Sequence, residues 1–160
     1  MKTAIVYYTL NGNCDFVAKE LKSRLNADTI RLQASDQRQR GGAAKFLWAL
    51  GMAFKRKNPL LKSYSFDPNA YDLIVIGTPI WASSPAPPIE AFISDTGLAG
   101  KKVALYICHM GKNEGAMDKF KTMFAGSSII AAAEFKAAIK TPDDTKRQIE
   151  EWVKGFGTIT

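Results

Sequence analysis

A length of 160 residues is that of one domain, and 46% hydrophobic with 23% charged side chains is globular composition, which excludes a disordered chain. Twenty-two basic against fifteen acidic side chains give a net charge of +7, and two cysteines cannot build a disulfide framework, so a reducing, cytoplasmic setting is expected. The longest apolar run, from Phe46 to Phe54, falls well short of the ~20 residues a spanning helix needs, so no transmembrane segment is expected.

Ala4-Ile5-Val6-Tyr7-Tyr8 is a continuous apolar run, the pattern of a strand buried on both faces. The turn signal Asn11-Gly12-Asn13 follows at once, with no small-x-small cleavage site, which argues against a signal peptide. Val17, Leu21 and Leu25 recur at every fourth residue beside Phe16 and predict an amphipathic helix to about Leu25. Asp28 to Leu32 reads as a weak second strand. From Gly41 to Lys57 an inserted helical segment is expected, with Phe46, Leu47, Leu50 and Phe54 on one stripe and Trp48 and Met52 beside it. Lys45, Lys55, Arg56 and Lys57 bracket it, and Asn58-Pro59 ends it.

Tyr71 to Gly77 contains Leu73-Ile74-Val75-Ile76, a third buried strand. Pro85, Pro87 and Pro88 are expected to close the loop after it, with a helix beginning over Ile89 to Ile93. Lys102 to Cys108 is a further buried strand, and Gly115 to Phe124 a helix with Met117, Phe120 and Phe124 on one stripe. Ser128 to Phe135 reads as the last strand. Thr141 as N-cap, Pro142 at the first position and Asp143-Asp144 in the first turn open a final helix. Ile149, Trp152, Val153 and Phe156 form its core face. Strands alternating with helices imply one domain, residues 1–160, built on a parallel sheet covered on both faces. In such folds ligands bind beyond the carboxyl ends of the strands, where the strand order reverses. Three loops leave those ends: 9–14, 77–88 and 108–115.

The first loop, Thr9-Leu10-Asn11-Gly12-Asn13-Cys14, joins a buried strand to a helix N-terminus, where unpaired amides and the helix dipole favour an anion. The bland reading is a tight turn with a cap. The second loop holds Trp81 among prolines, either as a stacking surface for a planar ring or as a lid folded onto the core. The third holds the sole histidine, His109, a poor metal set by itself. Cys14 and Cys108 leave strands that are not expected to be neighbours, which argues against disulfide chemistry. No nucleophile elbow, Walker sequence or G-x-G-x-x-G occurs. The basic excess is local: residues 31–70 hold eight basic and two acidic side chains. Nucleic acid, anionic lipid, an acidic protein or an anionic ligand would each answer it, and so would a plain solvated loop.

Together the loops resemble those of the flavodoxin family. Thr9 to Cys14 is similar to its phosphate loop, S/T-x-T-G-N-T, with Asn11 and Cys14 where Thr is usual. Tyr71 to Trp81 resembles the strand and ring-binding loop of a branch that continues with A-P-P, here Ala86-Pro87-Pro88. The resemblance implies an α/β flavodoxin-like doubly wound sheet of five parallel strands, order 2-1-3-4-5, with the helical insertion between strands 2 and 3. It implies noncovalent FMN, its phosphate on Thr9, Leu10, Asn11, Gly12, Asn13 and Cys14. The ring would lie between Thr78, Pro79, Ile80, Trp81 and Ala82 on one side and His109, Met110, Gly111 and Gly115 on the other. No residue is expected to be catalytic, since the flavin carries the chemistry. The function expected is electron transfer between partners, either a redox protein or a small-molecule acceptor. The alternatives are an FMN-dependent NAD(P)H reductase of quinone-like or nitro compounds, and a binding or regulatory module without flavin. No nucleic acid or metal is expected. For the 41–57 segment three roles are open: a helix packed on the sheet edge, a peripheral membrane or acidic-partner contact, and a cap beside the ring.

Overall fold

The computed structural model describes residues 1–35, 42–55 and 59–158. Five parallel strands form the sheet: β1 (Thr3–Tyr7), β2 (Asp28–Arg31), β3 (Leu73–Trp81), β5 (Lys102–His109) and β6 (Ser128–Lys136). A short strand, β4 (Ser84–Pro85), turns back antiparallel on β3. The sheet order is β2-β1-β3-β5-β6, so the parallel strands taken in chain order read 2-1-3-4-5, as expected. The helices are α1 (Asn13–Leu25), α2 (Ala43–Lys55), α3 (Pro87–Thr96), α4 (Ala116–Thr122) and α5 (Pro142–Lys154). The switch point lies between β1 and β3, which pair with Ile5 opposite Val75 and Tyr7 opposite Gly77.

Residue alternation divides the core into two layers. Val6, Tyr8, Ile74, Ile76 and Leu105 face one side and pack with Phe92 of α3 and Phe120 of α4. Ile5, Tyr7, Val75, Ala104 and Tyr106 face the other and pack with Val17 and Leu21 of α1 and Ile149 of α5. β1 is buried throughout and β3 from Leu73 to Pro79, which is why both hold unbroken apolar runs.

Three expectations are corrected. The strand after Tyr71 does not end at Gly77; it continues to Trp81, and the hairpin with β4 replaces the upper part of the expected loop. Pro87 and Pro88 open α3 rather than close that loop, because proline at the first helical positions gives up an amide with no intrahelical partner. Thr141 stands at the N-cap of α5 but makes no side-chain cap bond, and Phe156 falls in the 3-10 turn that follows the helix. The insertion is helical where expected, as α2; Gly41, Arg56 and Lys57 lie outside the described residues.

Candidate functional site

Beyond the carboxyl ends of β1, β3 and β5 lies a cleft of about 300 Å³. Leu10, Asn11 and Asn13 wall it from the first loop, Pro79, Ile80, Trp81 and Ala82 from the β3–β4 hairpin, and His109 and Met110 from the end of β5. Nine of the fifteen expected site residues therefore meet at one cleft.

The first loop is shaped by Gly12, whose φ of 93° is left-handed backbone that favours glycine. Its amide donates to Thr9 Oγ1 at 3.0 Å, which leaves the Thr9 hydroxyl hydrogen free to donate elsewhere. The first intrahelical bond of α1 runs from the Phe16 amide to the Gly12 carbonyl at 2.9 Å. The amides of Asn13, Cys14 and Asp15 precede it, so they are the orphan donors of the helix start. Asn13 is buried and binds three segments together. Its Nδ2 donates to Asn11 Oδ1 at 3.0 Å and lies 3.7 Å from Met110 Sδ, and its Oδ1 accepts from the Ile139 amide at 3.1 Å.

A phenol props the same turn from below. Tyr106 donates to the Cys14 carbonyl at 3.1 Å, and burial holds its hydroxyl well above the usual phenol pKa. Its ring occupies the space over Gly77, where an added Cβ would lie 1.9 Å from Cζ. Cys14 and Cys108 are free, buried thiols. Their strands are separated by β3, as expected, yet their side chains meet: burial first, then a hydrogen bond with Cys108, pushes the Cys14 thiol up.

Trp81 packs on the core and also borders the cleft. It packs edge-on against Tyr8 at 5.6 Å and Trp48 at 6.4 Å, so the core side fixes its plane, and it also walls the cleft. Ala82 and Ser83 carry the hairpin turn with φ of 48° and 57°, the paired positive values of a type I′ turn. Thr78 is buried beneath, its Oγ1 accepting from the Ala86 amide at 2.9 Å. His109 places Nδ1 2.7 Å from the Gly111 carbonyl, so that nitrogen carries the hydrogen. Gly111 thus acts on the cleft through His109. Gly115 caps α4 and lines no part of the cleft.

Four wall residues were not among those expected at the site: Cys108 and, from α2, Phe46, Ala49 and Leu50. Ala49 and Trp48 of the insertion pack on the core, and Phe46 and Leu50 stand on the cleft wall. Nothing in the sequence gives the direction in which α2 leaves the sheet edge. The Gly77–Tyr106 contact was missed, though a glycine at the end of a solid aliphatic strand is a signal that could have found it.

No protein-family model matches the sequence, and no curated protein sequence matches it. Solved structures do. A flavoprotein from Lactobacillus acidophilus, crystallised in complex with FMN, is 24% identical over 95% of this chain and 98% of its own, with a TM-score of 0.74. A Bacteroides uniformis protein assigned to the flavoproteins is 22% identical over 96% and 97%, with a TM-score of 0.78. The chain has the flavodoxin-like fold. A flavodoxin from Megasphaera elsdenii shares it at 20% identity over 95% and 98%, with a TM-score of 0.60. At these identities the likeness establishes the fold. The flavodoxin-like sheet places the cleft at the switch point, where this fold holds ligands.

Proposed function

We propose that the cleft holds FMN noncovalently and that the chain is a redox protein passing electrons between partners. One observation carries the reading: a left-handed glycine and three orphan helix amides stand at the edge of an apolar cleft walled by an indole. The phosphate is assigned to the amides of Asn13, Cys14 and Asp15, with Thr9 and Asn11 as side-chain donors. Asn11 and Cys14 lack the hydroxyls usual in such loops, but the backbone donors do not depend on them. The ring is assigned to the space between Trp81 and the His109–Met110 segment. Bound FMN would supply one- and two-electron chemistry; the residues bind it, orient it and keep water from it. That the Lactobacillus acidophilus flavoprotein was crystallised in complex with FMN supports FMN as the ligand.

Calorimetric titration tests it. FMN is expected to bind at least about tenfold more tightly than riboflavin, since each hydrogen bond to a charged phosphate contributes about 1.5–3 kcal/mol. Equal affinity for the two would remove the phosphate assignment. The apolar wall from Phe46 and Leu50 of α2 favours a second reading, an FMN-dependent NAD(P)H reductase, because it adds surface for a second planar molecule. Rapid bleaching of bound FMN by NADPH with no protein partner would select that reading.

A further inference from the structure

Helix α2 turns an apolar face away from the core. Phe46, Leu47 and Leu50 are 54%, 69% and 46% exposed, while Ala49, one residue before Leu50, is buried. Ala43, Phe46, Leu47 and Leu50 stand at the three- and four-residue spacing of one helix face. Among the described residues these are three of the seven exposed large hydrophobic side chains, and a fourth, Met110, stands on the cleft wall that Phe46 and Leu50 share. The sequence around the helix is one-signed. Between Asp36 and Asp67 there are seven basic and no acidic side chains, placed before, within and after α2.

We propose that this face of α2 lies on an anionic lipid surface and brings the mouth of the cleft to the membrane. The charge complementarity is that of a basic amphipathic helix: apolar side chains enter the headgroup boundary, and the one-signed sequence around them is attracted to anionic headgroups. At 13 residues the helix is about 20 Å long and suited to lie in the interface plane. Among the described residues no helix is long and apolar enough to cross a membrane. An acidic protein would meet the same charge, but protein interfaces carry a hydrogen bond per ~100–200 Å². The outward face, built of Ala, Phe and Leu, has no side-chain hydrogen-bonding group to offer one, and a lipid boundary requires none. The proposal stands apart from the FMN reading, because vesicle binding is read without the flavin.

The test is sedimentation of the full chain, with and without added FMN, with phosphatidylcholine vesicles and with vesicles containing phosphatidylglycerol. Binding is expected with the anionic vesicles alone, weakened at least about tenfold in Leu47→Glu and less in the uncharged Leu47→Gln. Leu47 does not line the cleft, so both variants are expected to take up FMN as the parent chain does. No sedimentation of the parent chain overturns the proposal, whatever the FMN result. Undiminished binding in both variants also overturns it, because charge alone would then suffice. Retention on polyglutamate without vesicle binding overturns it in favour of an acidic protein. A parent dimer that Leu47→Glu converts to monomer, again without vesicle binding, overturns it in favour of a second copy.

Discussion

Gly77 and Tyr106 are register partners on β3 and β5, and the phenol that covers the glycine also holds the Cys14 carbonyl. Gly77→Ala forces that ring out of place, and overpacking of this kind costs about 3 kcal/mol. Tyr106→Phe keeps the ring and loses one hydrogen bond, about 1 kcal/mol. Urea unfolding of both variants is expected to show the larger loss for Gly77→Ala, whose added methyl has no room beneath the ring. Asp15 gives a pH-dependent prediction. Partial burial opposes its charge, but Lys19 at 2.8 Å, the Tyr7 hydroxyl at 2.7 Å and Arg31 at 3.9 Å together hold it below the usual carboxylate range. Its folded pKa is depressed, so its stabilisation is present above the unfolded value of about 3.9 and is lost as pH falls through the folded value. Asp15→Asn is therefore expected to be less stable than the parent at neutral pH. The gap should close in acid; a gap that persists unchanged there would contradict the assignment.

At the scale of elements, the β3–β4 hairpin is where local preference and structure disagree. Type I′ turns favour Asn-Gly, and here Ala82-Ser83 takes both positive-φ positions. Ser83→Gly is expected to raise stability by about 1 kcal/mol, read as a higher urea midpoint with the same slope. This turn was illegible in the sequence for the same reason: Ala-Ser is not a type I′ signature, and Pro79 and Pro85 speak against strand. The prolines are tolerated because this end of β3 pairs on one side with only a two-residue strand. The central strands were legible because burial on both faces leaves a continuous aliphatic run, as in Leu73 to Ile76. The helix faces of α1 and α5 were legible through their period. Asn13 was expected as a phosphate-loop residue, but its hold on Ile139 was not, since the two are 126 positions apart and joined by one hydrogen bond, from the Ile139 amide to Asn13 Oδ1.

For the whole molecule, the sheet order was expected from a resemblance, and the structure reproduces it with one added hairpin strand. The three loops meet because the switch point gathers the ends of β1, β3 and β5. The contribution of α2 depends on how a helix outside that framework packs, and periodicity reports a face without saying what it meets. The account as a whole rests on FMN occupying the cleft through the first loop. Nitrogen–proton correlation NMR during an FMN titration tests it directly. The amide signals of Leu10 to Asp15, Trp81, His109 and Met110 are expected to shift together and saturate with one equivalent. Shifts confined to another part of the molecule, or no shifts at saturating FMN, would contradict it.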